Sequence, residues 1–136
     1  MVLSSLIFWS LASICNSVMD TSNHHYSTSV FKKYNPMWWN GEISWKNKYI
    51  DCNPNLGFKK LFPNRKGFLG KINYPVQLTD AWHLFKTLMI VFLVLSIITF
   101  DKDIILSWYG FIVIFIMYGF IWNFCFNIFY NHVLKS

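Results

Sequence analysis

The chain has 136 residues, 54% of them apolar by the AVILMFWYC set and 21% aromatic, with only 13% charged. That charged share is about half of what a soluble domain carries, and mean hydropathy is positive at +0.34. Disorder is excluded, because it needs low hydrophobicity and high charge. A water-soluble globule is disfavoured because too little polar surface remains to cover it. The composition therefore points to an all-α integral membrane protein, a single membrane domain of residues 1–136, and the elements below are read on that basis.

The first element is an uncharged, serine-rich apolar run at 2–19. At about 1.5 Å per residue it reaches roughly 27 Å, close to the hydrocarbon thickness of a bilayer. No Lys or Arg precedes Lys32, and Ala12-Ser13-Ile14-Cys15 is a poor lipoprotein cleavage site, so the run is expected to be kept as a span rather than removed as a signal peptide. Ser13, Asn16, Ser17, Asp20 and His24 follow at steps of three or four, which places them on one helical face if the helix continues that far.

A segment of about 60 residues, 20–79, comes next. It shows neither helical nor strand periodicity, and Asn53-Pro54 and Asn40-Gly41 punctuate it as turns. It is expected to be a long irregular loop. It carries nine of the twelve basic residues, Lys32, Lys33, Lys46, Lys48, Lys59, Lys60, Arg65, Lys66 and Lys71. Cytoplasmic loops are enriched in Lys and Arg, which puts this loop in the cytoplasm, with the N-terminus outside and the C-terminus inside. Trp38, Trp39 and Trp45, interleaved with Lys46 and Lys48, are expected to lie at lipid headgroups, rings in the interfacial zone and cations toward anionic lipid. The same pattern stacks on single-stranded nucleic acid elsewhere, a partner set aside here because the loop is tethered between spans.

The second span is expected over 82–100 and the third over 104–130, joined by the acidic Asp101-Lys102-Asp103. Lys86 is expected to snorkel back to the interface. Thr79 is expected to cap the second span with Asp80 beside it, and Asp80 and His83 stand at i,i+3. Trp82 and Trp108 are expected near opposite interfaces as belt residues. The third span ends in a strict i,i+4 stripe, Gly119, Asn123, Asn127 and Asn131, followed by His132.

With three spans, the four histidines, His24, His25, His83 and His132, collect at one membrane face together with Asp20 and Asp80. Two readings follow. In the first, Ser13, Ser17, Asn123 and Asn127 are interhelical hydrogen bonders and Gly119 permits close approach. In the second, Asp20, His24, His25, Asp80, His83 and His132 line a crevice. Imidazole with carboxylate suits a transition metal, the one cofactor this pattern admits, and Asp20, Asp80 and His83 also suit acid/base catalysis. No nucleophile elbow, zinc-protease box, phosphate loop or dinucleotide fingerprint occurs. The cysteines, Cys15, Cys52 and Cys125, are too far apart for any paired motif.

Asn35-Pro36-Met37-Trp38-Trp39, then Ser44-Trp45-Lys46-Asn47-Lys48-Tyr49, then Leu78-Thr79-Asp80-Ala81-Trp82-His83-Leu84-Phe85 resembles small multi-span membrane proteins of Bacteroidetes-type bacteria, over about residues 35–85. The resemblance implies a bacterial inner-membrane protein and brings no activity, substrate or cofactor. The function expected is that of a non-catalytic subunit or scaffold binding anionic lipid and a membrane protein or a second copy of itself. A membrane-embedded metal or acid/base enzyme is the first alternative, and a phage-type holin the second.

Overall fold

A computed structural model describes residues 2–100 and 108–136; the joint Asp101-Lys102-Asp103 lies outside the described residues. Most of the described residues are helical. Among the described residues no strand forms, only three isolated antiparallel bridges. The helices are α1 (Val2–His24), α2 (Pro36–Trp39), α3 (Gly41–Ser44), α4 (Phe68–Lys71), α5 (Ala81–Ile98) and α6 (Trp108–Ile128), the last continuing as a π-turn over Phe129–Val133. Three of them, α1, α5 and α6, are long and apolar enough to cross a membrane.

Side-chain pairings fix how these three run. Ser5 meets Ser96 and Phe8 stacks near Phe92, so α1 and α5 are antiparallel. Trp9 bonds to Tyr118 and Ser13 to Trp122, so α1 and α6 are parallel. The C-terminal ends of α1 and α6 and the N-terminal end of α5 therefore share one end of the bundle, as expected from three spans.

The α1 interfaces are built from small hydroxyls. Ser5, Ser13 and Ser17 are fully buried, while Ile97, Phe115 and Phe120 are at least two-thirds exposed. Ser13 Oγ donates to the Trp122 carbonyl at 2.7 Å, whereas buried Ser17 turns back to Ile14 of its own helix. The tightest knot joins all three long helices. Ser5 Oγ donates to the Ser96 carbonyl at 2.7 Å, Ser96 Oγ donates to the Ser5 carbonyl at 3.0 Å, and the Tyr118 hydroxyl lies 2.7 Å from Ser5 Oγ. With Tyr118 donating, each of the three hydroxyl protons has its own acceptor.

The 20–79 segment is less irregular than its sequence pattern implies. It is a succession of single helical turns. Asn35 accepts from Met37 N at the start of α2, with Pro36 at its first position. Asn40 accepts from Glu42 N to open α3, and Asn53 accepts from Asn55 N ahead of Pro54. Asparagine is a strong N-cap because its short side chain takes an orphan helix N–H. The Asn-Pro and Asn-Gly pairs thus open helices here. Gly57, at φ 78°, adopts the left-handed region a side chain would resist, and next to it Tyr49 pairs with Phe58.

This segment packs on the helices. Val18, Phe31 and Leu134 form a buried cluster with Tyr26, Val30, Trp39, Phe85 and Phe129 around it. Trp39 stacks on Phe31 with centroids 4.2 Å apart and planes 9° from parallel. Trp39, half-buried, is folded onto Phe31 by the capped turn at Asn35. Trp45 stays exposed, with Lys46 Nζ 5.7 Å from its ring centroid, and Lys48 covers Tyr49. Lys59 Nζ donates to Asn47 Oδ1 at 2.9 Å, and Asn47 in turn donates to the Thr79 carbonyl. The basic loop is thereby tied to the start of α5.

Candidate functional site

The end of the bundle holding all four histidines is built around the first turn of α5. Asp80 is the N-cap, with extended backbone. Its Oδ1 accepts from His83 N at 3.0 Å, and its Oδ2 lies 2.7 Å from His83 Nδ1. Thr79 Oγ1 stands 3.0 Å from the same Oδ2 and also donates to the Val76 carbonyl at 2.7 Å. The cap is therefore one residue later than expected, at Asp80 with Thr79 as its support. The i,i+3 spacing does the rest, since residues three apart on a helix are neighbours.

Asp80 is almost fully buried, and the His83 side chain is about a quarter exposed. A carboxylate only accepts, so the neutral imidazole carries its proton on Nδ1 and presents the Nε2 lone pair. The Trp82 ring stands edge-on to His83 at 5.1 Å. Lys86 Nζ folds back over the Trp82 ring at 4.6 Å from its centroid. A carboxylate holding one imidazole tautomer is the arrangement that orients a general base or a metal ligand.

The remaining members of the expected crevice do not join this pair. His24 Nε2 is 3.3 Å from its neighbour Asn23 Nδ2. His25 packs edge-on to Tyr130 at 5.4 Å. His132 is exposed on the outer face of α6, and Asp20 is half-buried on α1. Among the described residues no three His, Cys, Asp or Glu side chains come together in a way that could hold a metal ion. The metal set of Asp20, His24, His25, Asp80, His83 and His132 is thus corrected to one Asp80–His83 pair. α1 ends at His24 and His25 leaves it with non-helical backbone, so the two rings find separate neighbours, while both oxygens of Asp80 are committed to its own helix start.

The α6 stripe has a second surprise. Asn123 donates to the Gly119 carbonyl at 2.9 Å, Asn127 to the Asn123 carbonyl at 2.8 Å, and Asn131 to Asn127 Oδ1 at 3.2 Å. All these bonds stay on one helix. The three asparagines are exposed, and a Cβ built on Gly119 would meet no atom within 4 Å. Among the described residues this stripe makes no hydrogen bond to another helix. It borders a shallow open groove of about 310 Å³, shared with Phe120, Phe124 and His132. The intrachain contacts expected of the stripe are made instead by Ser5, Ser96 and Tyr118. Their signal in the sequence was slight: Ser96 is the one serine in the apolar run of α5, and Ser5 is one of several in α1.

No family model, curated protein or solved structure matches this chain.

Proposed function

We propose that the protein is a small multi-pass membrane subunit or scaffold, non-catalytic, that seats a helix of another membrane protein or of a second copy on α6 and binds anionic lipid at its cytoplasmic end. In this reading α1, α5 and α6 span a bacterial inner membrane, with the N-terminus outside and the long basic segment and C-terminus inside. The observation that carries it is the outward stripe Gly119, Asn123, Asn127 and Asn131, whose carboxamides bond only along their own helix. Polar side chains inside a membrane face a bundle interior or a wet cavity, because lipid pairs with none of them. Asn123 keeps a free N–H and its Oδ1, so it offers a donor and an acceptor side by side, and open space over Gly119 lets another helix approach. Exposed Trp45 and the half-buried Lys46 and Lys48 beside it support the lipid half of the reading.

Asn123→Leu with Asn127→Leu should abolish a defined oligomer or partner complex in mild detergent and leave the monomer's unfolding midpoint unchanged. An unaltered assembly in the double variant removes this role.

The Asp80–His83 pair favours a second reading, an acid/base or metal enzyme acting at the same face. A stoichiometric transition metal in the purified protein that His83→Ala loses would bring that reading to the front.

A further inference from the structure

At the end of the bundle, apart from the Asp80–His83 pair, a cavity of about 250 Å³ opens between the last turns of α1 and α6. Its wall includes His25, Thr28, Ser29, Tyr130, Asn131 and Lys135. The frame is built by the backbone. The π-turn closes with Leu134 N donating to the Phe129 carbonyl at 2.8 Å, Val30 N donates to the Leu134 carbonyl at 2.9 Å, and Ser136 N donates to the Thr28 carbonyl at 3.0 Å. Ser29 and Lys135 pair antiparallel between the last two of these bonds. Turns of π geometry occur often at functional sites.

The wall sorts into satisfied and unspent groups. Thr28 Oγ1 donates to the His25 carbonyl, and Ser29 Oγ donates to the Tyr26 carbonyl. Among the described residues, the His25 ring, the Tyr130 hydroxyl and Lys135 Nζ make no hydrogen bond. Thr21 also lines the cavity, and its hydroxyl is buried with no partner. Among the described residues the wall therefore offers four uncommitted donor groups, one of them a full cation and one able to become a cation. No carboxylate side chain lines it. The nearest acid, Asp20, sits within electrostatic range of Tyr130 from the preceding position on α1 and off the wall. Lys32 and Lys33 on the following turn are exposed and add positive potential.

Depth selects the ligand. The apolar spans of α1 and α6 end at His24 and Val133, so in the bilayer placement proposed above the cavity lies where lipid phosphates lie. Basic pockets between spans on the cytoplasmic side are a known way of holding lipid headgroups. At about 30 Å³ of liquid volume per water molecule, the cavity has room for a phosphodiester and the adjoining glycerol carbons. We propose that this cavity binds the phosphodiester of an anionic phospholipid headgroup, with Lys135, His25 and Tyr130 donating to its oxygens.

The inference deepens the lipid half of the proposed function and is independent of assembly through α6. The test uses the full chain in mild detergent, titrated separately with short-chain phosphatidylglycerol, short-chain phosphatidylcholine and inorganic phosphate, with binding read as the rise in thermal midpoint. Phosphatidylglycerol should bind saturably, at least tenfold more tightly than phosphatidylcholine, and inorganic phosphate should fail to compete at millimolar concentration. Lys135→Ala should weaken it at least tenfold and Tyr130→Phe, which keeps the ring against His25, several-fold. Lys66→Ala, on the exposed loop surface, should leave it unchanged. Unliganded midpoints of the variants report folding. Equal loss in Lys66→Ala and Lys135→Ala would reduce the effect to diffuse electrostatics and overturn the site. Equal binding of phosphatidylcholine, or full competition by inorganic phosphate, would overturn the ligand. An oligomer unaltered in the Asn123 and Asn127 variant, with lipid binding intact, would fail the helix-seating role alone.

Discussion

Replacing Ser5 by Ala should cost about twice as much stability as replacing either of its partners. The proton count sets the ratio. Ser5 donates to the Ser96 carbonyl and accepts from Tyr118, so Ser5→Ala removes two interhelical hydrogen bonds. Ser96→Ala removes one, to the Ser5 carbonyl, and Tyr118→Phe removes one. Interhelical side-chain hydrogen bonds in membranes average ~0.6 kcal/mol and reach at most ~1.7. The expected costs are then about 1.2 kcal/mol for Ser5→Ala and about 0.6 for each of the others. Ser5 and Tyr118 share a bond, so Ser5→Ala with Tyr118→Phe should cost no more than Ser5→Ala alone, a coupling of about 0.6 kcal/mol. Unfolding of the full chain in mixed micelles with a rising fraction of denaturing detergent gives the free energies. Tryptophan fluorescence is the readout, because Trp9 sits 5.2 Å from Tyr118 and 5.3 Å from Trp122. Phenylalanine at 118 preserves that ring contact. Equal costs for all three single variants, or strict additivity in the double, would refute this hydrogen-bond assignment and the three-helix junction built on it.

Three further outcomes are expected. Asp80→Ala should lose a helix cap worth about 1 kcal/mol and a charge-assisted hydrogen bond of about 1.5–3. Asp80→Asn should recover the cap but not the fixed Nδ1–H tautomer of His83, as read by the imidazole nitrogen shifts; equal destabilisation by both would argue against the capping role. Gly41→Ala should cost about 1–3 kcal/mol by overpacking, since a Cβ there would stand 2.5 Å from Asn23 Oδ1 and 2.8 Å from Asn23 Cα; a neutral substitution measured in the same unfolding assay would show that α3 does not bear on α1. Cys52, half-buried in the long segment, should resist a membrane-impermeant maleimide on intact cells and react after permeabilisation. Ready labelling of intact cells would reverse the proposed orientation.

The three long helices were legible because an apolar run of eighteen residues or more has few alternatives. Their ends were less so. The helix of the first run continues to His24, since serine, asparagine and aspartate in its last turns cap nothing and tolerate helix. The second begins at Ala81 because Asp80, not Thr79, takes the orphan N–H of His83. The Asp80–His83 contact was legible from spacing alone. The wider crevice was not, because spacing along one helix says nothing about its rotation against another. The turns of 20–79 were hidden for a different reason. Each is only three or four residues long, and a single turn leaves no periodicity to read. Their asparagines, seen as loop residues, are the caps.

Burial in this chain runs opposite to that of a soluble bundle. Buried positions include Ser5, Ser13, Ser17, Thr21, Ser22, Ser44, Thr79 and Ser96, whereas Ile97, Phe111, Val113, Phe115, Ile116 and Phe120 stand exposed. In water such a molecule would forgo much of its hydrophobic gain, at roughly 25 cal/mol for every Å² of apolar surface left wet. Between apolar helices in lipid the hydrophobic effect offers no preference, and close packing of small residues with hydrogen bonds between them takes over. The serine contacts of α1 follow that second logic, and they support the membrane placement independently of hydropathy. The same logic turns the α6 asparagines into an anomaly. Ser5, Ser13, Ser17 and Ser96 each find an acceptor, although Thr21 and Ser22 at the end of α1 do not, and among the described residues Asn123 faces outward with a donor and an acceptor unmatched. In the reading proposed above, another helix laid along the groove beside Phe120 and Phe124 would match that amide.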